Sequence, residues 1–380
     1  MRLPLISMLL LMTTSAVAER GIEQVTVCSV DRYRHSAYPS IERLADGQLL
    51  CVFSANNNKT GGKMVVVGTF SRDHGRMWSE PVELIDSKGQ NDYDPSIVVI
   101  GSRVIVSSTT TPPGDDITTS RTIAVRSEDN GKTWSKPYEI PMGHRYTSGK
   151  VNNGIVLRDG SVLFGYTWEA QLDQIERLKA EGNMIERSAV MISLDHGRTW
   201  TSGGDAMDDS LKLIERKGAI AGICEPAIIE CSDGSVYMLA RTGLEKLYQC
   251  RSRDGGRSWS KPVASPLTGH NAPAALCHFR GKKPGILVVW DNSPKARWPL
   301  CVSASFDDTL TWTAPRKISS LEGVECSYPG CTQASDGMLV VVWQQNTSSG
   351  GLQILAARFN TEWLCADQPA ATDLRPHEKP

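Results

Sequence analysis

An eight-residue pattern, Ser-x-Asp-x-Gly-x-x-Trp, recurs along the chain and restricts its possible folds more than any other feature. Four copies keep all four positions, and a fifth has Thr309 in place of the glycine. The copies lie at residues 71–78, 127–134, 193–200, 252–259 and 305–312, so successive copies begin 53 to 66 residues apart. A repeat of this length that closes each time on the same turn is typical of the four-stranded blades of a β-propeller.

Each residue of the pattern suits a tight turn between strands. The short aspartate side chain accepts hydrogen bonds from turn N–H groups, the glycine adopts a positive φ, and the tryptophan packs between neighbouring sheets. A calcium loop of the EF-hand type would need further oxygen ligands at set spacings, and none follow. We therefore expect the five aspartates to hold turns.

A second recurrence predicts an inner strand in each repeat. Its copies combine a strand start, usually marked by proline, with a turn that usually contains Asp-Gly, and they begin at Tyr38, Asp94, Asn153, Glu225, Ala272 and Tyr328. Proline lacks an N–H group and belongs at a strand start, and Asp-Gly is a hairpin turn. Six such units predict an all-β fold, a single six-bladed β-propeller over residues 19–365. We expect an early strand at 24–30 to close the ring by pairing with strands at 339–344 and 352–359.

Three segments depart from the β pattern. Met1–Ala18 has one arginine, an apolar run and a small-residue ending, which predicts a cleaved signal peptide and a secreted or periplasmic protein. Glu169–Arg187 has apolar residues three apart between charges, which predicts a short helical insertion in blade three, either a rim of the site or a surface feature. The tail at 366–380 is expected to be weakly ordered. No run after the first is long enough to span a membrane.

Charge and cysteine content restrict the possible partners. The formal net charge is −1 with 22% charged residues, so no basic surface for nucleic acid is predicted. The ten cysteines include no Cys-x-x-Cys pair and no Cys/His cluster, which favours buried thiols or disulfides over a zinc site. We predict no metal and no cofactor. The sequence leaves the oligomeric state open.

The residues that open the inner strands are the candidates for chemistry. Inner strands of a propeller line a central channel, so their first residues meet at one mouth of it. Tyr38, Asp94, Asn153, Glu225 and Tyr328 supply phenols, carboxylates and an amide at these positions. Carboxylates are rarely buried without partners, so this ring is unusual if packing is its only task. It predicts a binding or catalytic site, whereas the structural interpretation is that these residues merely line the channel.

The chain resembles the sialidase (neuraminidase) superfamily, whose Asp boxes have the pattern of the repeat. The stronger likeness lies in the second half, where Glu225 in CEPAI, Arg241 in MLARTG, Arg297 in ARWPL and Tyr328 in SYPGC follow the order and spacing of the family. The resemblance implies a propeller of sialidase type and a retaining exo-α-sialidase that hydrolyses terminal sialic acid, or a related acidic sugar, from a glycan or glycoconjugate. It implies Tyr328 as nucleophile with Glu225 as its base, and Arg241 and Arg297 as a clamp on the substrate carboxylate.

The first half departs from the family pattern at two positions. The family has Arg-Ile-Pro where this chain has Ala37-Tyr38-Pro39, and the loop at 54–62, expected to carry the general-acid aspartate, has no carboxylate. Arg34 is a candidate for the missing arginine, Asp94 for the acid, and His35 is a further candidate acid. Tyr38 and Asn153 are candidate substrate-binding residues.

These departures leave other functions open. One is a sialidase-like hydrolase of a different sugar, and another is a non-catalytic carbohydrate-binding propeller. A structural or partner-binding propeller is the last alternative. Each arginine would then pair with a blade-edge carboxylate, and Tyr328 would be an ordinary channel-lining aromatic residue.

Overall fold

The computed structural model describes residues 21–56, 62–112, 119–144, 147–148, 152–169, 184–208, 220–319 and 321–366. The predicted signal peptide at 1–18 and most of the predicted tail at 366–380 fall outside these ranges. Within them, no helix is long and apolar enough to cross a membrane.

The described strands form six sheets. The first strand is β1 (Ile22–Cys28), and blade one follows as β2 (Ser36–Arg43), β3 (Leu49–Asn56), β4 (Met64–Ser71) and β5 (Val82–Ile85). Blade two comprises β6 (Asn91–Ile100), β7 (Arg103–Thr111), β8 (Arg121–Ser127) and β9 (Tyr138–Ile140). Blade three comprises β10 (Thr147–Ser148), β11 (Ile155–Val156), β12 (Val162–Glu169), β13 (Met184–Ser193), β14 (Thr201–Ser202) and β15 (Ile220–Gly222).

The remaining strands complete the ring. Blade four comprises β16 (Cys224–Glu230), β17 (Val236–Arg241), β18 (Lys246–Ser252) and β19 (Val263–Thr268). Blade five comprises β20 (Ala275–Phe279), β21 (Gly285–Asp291), β22 (Leu300–Ser305) and β23 (Arg316–Lys317), and blade six has β24 (Cys326–Gln333), β25 (Leu339–Asn346) and β26 (Leu352–Phe359). Inner strands of successive blades contact one another, and β24 of blade six contacts β2 of blade one. The predicted six-bladed all-β propeller is therefore confirmed.

Ring closure uses the first strand. Strand β1 pairs antiparallel with β26 and becomes the fourth strand of blade six, as predicted. Arg358 of β26 is fully buried, and its guanidinium contacts Glu23 of β1 at 2.6 Å and Asp336 of the β24–β25 turn at 3.0 Å. The closure is therefore held by an ion cluster as well as by the strand ladder.

The repeated turns have the predicted role. In the third copy, Ser193 Oγ donates to Asp195 Oδ1 at 2.8 Å and accepts from Gly197 N at 2.7 Å. The backbone N–H of Thr199 donates to the same aspartate oxygen at 2.8 Å. The other four copies make the equivalent contacts. Thr309 adopts a φ of 70° in the fifth turn, where the other copies have glycine.

Apolar clusters fill the spaces between neighbouring blades. Five of six such clusters include the tryptophan of a repeated turn, namely Trp78, Trp134, Trp200, Trp259 and Trp312. The sixth cluster, between blades five and six, packs Trp343 and Trp363 instead. The hydrophobic core is thus divided into radial layers that hold the blades at fixed angles around the channel.

The predicted helical insertion is wrong at both ends. Glu169 belongs to β12 and Met184–Arg187 belong to β13, while residues 170–183 lie outside the described residues. The helix that the structure does describe, α1 (Thr361–Cys365), follows the last strand and not blade three. Asn360 caps it by accepting a hydrogen bond from Trp363 N at 2.7 Å.

All ten cysteines are free thiols, so the disulfide alternative is not realised. Eight of them are buried. Within the described ranges, no group of three or more His, Cys, Asp or Glu side chains is placed to hold a metal ion.

Candidate active site

A strained residue lies near the start of the inner strand in five blades. Tyr38, Asp94, Glu225, Asn271 and Tyr328 have φ between 46° and 57°, a left-handed conformation that costs roughly 1–3 kcal/mol for a residue other than glycine. The ladder shifts register at this point in blades one, two, four and six, so each of these inner strands bulges there. Bulges re-aim side chains and are frequent beside active sites. Five strained positions at corresponding points of the ring indicate a functional site at the channel mouth.

Two of these side chains, Glu225 and Tyr328, form a closed triangle with Arg241. The phenol of Tyr328 donates to Glu225 Oε1 at 3.1 Å. Arg241 Nη1 donates to Glu225 Oε2 at 2.6 Å and to the phenol oxygen of Tyr328 at 3.1 Å. Glu225 comes from blade four, Arg241 from the next strand of that blade, and Tyr328 from blade six. The structure therefore brings together three of the four residues on which the family resemblance rests.

Burial controls the ionisation of the Tyr328 phenol. Tyr328 is 8% exposed, and burial raises the pKa of its phenol well above the ordinary value, with the Glu225 carboxylate adding to the rise. Arg241 and Arg297 act in the opposite direction on the same pKa. The phenol is therefore protonated at neutral pH, and it needs a base before it can act as a nucleophile. Glu225 lies within hydrogen-bond reach to serve as that base.

Arg297 completes the cluster from blade five. Its guanidinium carbon lies 5.4 Å from the centre of the Tyr328 ring. Nη2 donates to the backbone carbonyl of Asn271 at 2.7 Å, and Nη1 lies 3.5 Å from Glu325 Oε1. The four residues of the second half thus converge on one place, with a phenol between two guanidinium groups.

Asn271 is a site residue that the sequence reasoning missed. Its Oδ1 accepts a hydrogen bond from Arg241 Nε at 3.0 Å, while its carbonyl holds Arg297. The prediction took the residue before the strand proline, Ala272, but the strained residue lies one position earlier in Asn-Ala-Pro. Asparagine tolerates a left-handed conformation better than most residues, and that preference was the available signal.

A cavity opens beside Arg297. Its volume is about 440 Å³, in the range of small-molecule sites, and it is lined by His270, Ala296, Arg297, Trp298, Gly323 and Glu325. Arg297 both lines this cavity and faces the Tyr328 ring, whereas no residue of the triangle lines it.

Tyr38 and Asp94 flank the triangle from blades one and two. The rings of Tyr38 and Tyr328 meet edge to face, with centroids 4.8 Å apart. Burial raises the pKa of Tyr38, and the Asp94 carboxylate is the next contributor, which places that carboxylate near the mouth. Asp94 is half-buried, whereas Asp92 is fully buried and accepts hydrogen bonds from Ser87 N and Thr110 Oγ1. Asp92 therefore has a structural role, and Asp94 is the aspartate that faces the site.

Two predicted binding residues lie elsewhere. Arg34 is exposed, and its Nη2 donates to the carbonyls of Ser349 and Gly350 at 2.8 and 3.2 Å. It is therefore held away from Arg241 and does not replace the missing clamp arginine in this structure.

Asn153 crosses the central channel instead of facing its mouth. Its side chain accepts from Ser40 Oγ at 2.6 Å and donates to Glu42 Oε2 at 2.9 Å, both in blade one. Glu42 also accepts from Thr332 of blade six at 2.8 Å. This network ties blades one, three and six together. The 54–62 loop is described only in part, since residues 57–61 lie outside the described ranges.

Comparison with known proteins gives a family and several structural relatives. A sequence profile described as "BNR repeat-like domain" matches residues 47–341. Over 260 residues the chain is 25% identical to a sialidase of Paraclostridium sordellii, an alignment that covers 61% of this chain and 58% of that protein. The chain therefore spans little more than half the length of that relative.

Two solved structures share the architecture. A protein of unknown function from Dyadobacter fermentans superposes with a TM-score of 0.72 at 15% identity, covering 90% of this chain and all of the other. The Hadza microbial sialidase Hz136 superposes with a TM-score of 0.71 at 17% identity, covering 88% of this chain and 68% of the other. At such identities the likeness establishes the fold and nothing further.

Proposed function

The chain belongs to the BNR repeat-like domain family of the sialidase superfamily, and from this premise we propose that it is a retaining exo-glycosidase that releases terminal sialic acid, or a related acidic sugar, from glycans. One observation carries the proposal: the phenol of Tyr328 lies 3.1 Å from a carboxylate oxygen of Glu225 and 3.1 Å from a guanidinium nitrogen of Arg241. A base on one side of the phenol and a cation on the other is the arrangement that a tyrosine nucleophile requires.

In the first step, the Tyr328 oxygen attacks the anomeric carbon while its proton passes to Glu225. The bond from the anomeric carbon to the leaving oxygen breaks, and that oxygen takes a proton from a general acid, for which Asp94 is the candidate. A covalent glycosyl-tyrosine results. In the second step water attacks the same carbon and gives a proton to the Asp94 carboxylate, the bond to Tyr328 breaks, and Glu225 returns its proton to the phenol. Two inversions give net retention.

A tyrosine suits an acidic sugar for an electrostatic reason. Sialic acid carries a carboxylate on its anomeric carbon, so an anionic carboxylate nucleophile would approach like charge. The neutral phenol avoids this repulsion until its proton leaves. Arg241 and Arg297 flank Tyr328 and would bind the substrate carboxylate through their N–H groups.

The test is hydrolysis of a fluorogenic sialoside, followed by trapping with a fluorinated sialoside that leaves a stalled adduct. We expect the adduct mass on the peptide that contains Tyr328, and a loss of about 10²- to 10⁴-fold in kcat for Tyr328→Phe. Tyr138→Phe is the matched control, because Tyr138 lies on the outer strand of blade two. Absence of turnover on every sialoside would remove sialic acid as the substrate.

A second candidate function is hydrolysis of a different terminal sugar by the same residues. It is favoured by the absence of the blade-one arginine, since Ala37 stands at its place and Arg34 is bonded to the Ser349–Gly350 segment. Release of a non-sialic sugar from a glycan panel, lost in Tyr328→Phe, would identify it. Glycan binding without release would instead favour a carbohydrate-binding propeller.

We also propose export, on the basis of Met1–Ala18. Expression in a host that processes signal peptides should give a protein whose mass corresponds to a chain that begins at Glu19. A retained Met1 would contradict it.

A further inference from the structure

A further carboxyl lies behind the candidate triangle and has no part in the mechanism above. Glu186, on β13 of blade three, is 7% exposed. Strand β13 pairs in parallel with β15, so that Glu186 lies opposite Gly222, and its carbonyl accepts a hydrogen bond from Ile223 N at 3.2 Å. A Cβ at Gly222 would collide with that carbonyl, so only glycine permits the approach. The pairing holds Glu186 beside the segment that leads into Glu225.

The surroundings of this carboxyl are crowded with charge. Glu186 accepts a hydrogen bond from the Cys224 thiol, and its Oε2 has no hydrogen-bond partner in the part of the chain that the structure describes. The other ionisable groups that face it are Arg241 from β17, Glu225 from β16 and Asp94 from β6. Cys224 lies opposite Arg241 in the ladder of blade four, so Glu186 approaches that guanidinium from blade three. A further negative charge in this buried space beside Glu225 is unfavourable, which favours a carboxyl that keeps its proton.

Glu186 is the carboxyl best placed to keep it. Burial raises its pKa from 4.5 to about 7, and the neighbouring Glu225 and Asp94 carboxylates act in the same direction. The Cys224 hydrogen bond and the Arg241 charge oppose the rise without cancelling it. Glu186 is therefore neutral in acid and becomes anionic as the pH rises through neutrality.

We propose that Glu186 is a positioning residue that governs how much of the Arg241 charge is available to an anionic substrate. When Glu186 is neutral, the Arg241 guanidinium interacts with Glu225, Tyr328 and the substrate carboxylate. Anionic Glu186 places a second negative charge beside Arg241, which repels the substrate anion. This inference rests on the proposed function, because it requires an anionic group bound at Arg241.

The first test compares kcat and KM for a fluorogenic sialoside from about pH 6 to about pH 8.5. In the wild type, KM is expected to rise by about fivefold or more over this range, as one added charge near the clamp predicts. In Glu186→Gln, KM should stay at its low-pH value throughout, with kcat changed less than KM. Glu230→Gln is the matched control, because Glu230 is also a largely buried carboxyl but lies in blade four, at the far end of β16.

A pair of Cys224 variants tests the direction of the effect. Cys224→Ala removes a donor that favours the anionic form of Glu186, so the rise in KM should move to higher pH. Cys224→Ser supplies a stronger donor, so the rise should move to lower pH. A purely structural role for Glu186 would not produce opposite shifts.

Binding of the sialidase inhibitor DANA, measured by calorimetry over the same pH range, separates this inference from the proposed hydrolysis. DANA binding that weakens with pH in the wild type but not in Glu186→Gln supports the inference even if no sialoside is hydrolysed. A pH-independent KM and affinity in the wild type, or identical profiles in Glu186→Gln, would overturn it even if hydrolysis is found. Failure to bind DANA at any pH would overturn both the acidic-sugar proposal and this inference.

Discussion

The phenol oxygen of Tyr328 lies 3.1 Å from Oε1 of Glu225, although 103 positions of the chain separate the two residues. Tyr328 belongs to blade six and Glu225 to blade four, so the contact spans the channel mouth and not a single sheet. Both residues also contact Nη1 of Arg241, at 3.1 and 2.6 Å. Each member of this triangle therefore helps to fix the position of the other two.

The first prediction concerns this coupling. Tyr328→Phe and Glu225→Gln should each lower kcat by about 10²- to 10⁴-fold, because one removes the nucleophile and the other its base. The double variant should be scarcely worse than either single one, since residues that act as a unit give non-additive losses. Steady-state kinetics of the four proteins measure the coupling. Additive losses would contradict a shared step.

Asn271 gives the second prediction. Asn271→Gly and Asn271→Ala both lose the hydrogen bond to Arg241, and each should raise KM by about tenfold, the effect of one charge-assisted bond. Only alanine also keeps the strain of a φ of 46°. Asn271→Ala should therefore be less stable than Asn271→Gly by about 1 kcal/mol in urea unfolding. Equal stabilities would show that the backbone relaxes there.

The third prediction concerns ring closure. Arg358→Met removes a fully buried guanidinium that contacts Glu23 and Asp336. Asp336 is left less exposed than Glu23, so its carboxylate is the harder to hydrate. We expect a loss of about 2–3 kcal/mol in the free energy of unfolding, below the usual cost of an orphaned buried charge because both carboxylates reach water. Urea unfolding measures the loss.

A control variant separates the loss of ring closure from the general effect of removing an arginine with several contacts. Arg251→Met also removes an arginine with several contacts, but it lies between blades four and five, away from β1. If closure is what Arg358 stabilises, hydrogen exchange of β1 amides should rise in Arg358→Met and not in Arg251→Met.

The fourth prediction concerns acid stability. The Ser258 hydroxyl and turn N–H groups hold the pKa of Asp254 at about 2, and the other four turn aspartates also have lowered pKa values. A carboxylate whose pKa is lower in the folded state contributes stability above its unfolded pKa, and this is lost as the pH falls through the folded pKa. Melting temperature should therefore fall between about pH 4 and about pH 2.

Asp254→Asn tests the assignment. An asparagine can still accept one hydrogen bond in the turn but carries no titrating charge. Its melting temperature should start lower at neutral pH and change less in acid than that of the wild type. Asp31→Asn, at an exposed position, should leave the acid profile unchanged. A wild-type profile in Asp254→Asn would show that other carboxylates control acid unfolding.

Short-range residue patterns account for the parts of the fold that the sequence predicted correctly. The turn aspartates, glycines and tryptophans act within eight residues, so their contacts follow from spacing alone, as Asp195 and Gly197 show. The closing strand was predicted because a ring of sheets cannot leave an edge open. The helix predicted at Glu169–Arg187 failed at its ends because spacing of apolar residues does not reveal that β12 and β13 extend into the segment.

The sequence by itself determined the repeat and the number of blades, because both depend on short-range turn chemistry repeated around a ring. Only the tertiary structure decided which of the predicted site residues meet at the mouth. Asn153 reaches across the channel, and Arg34 is hydrogen-bonded to another loop. Asn271 contacts both Arg241 and Arg297, and Glu186 is buried near Arg241. The physical reason is that these outcomes depend on backbone bulges and on desolvation between blades, which arise only when distant strands pack together.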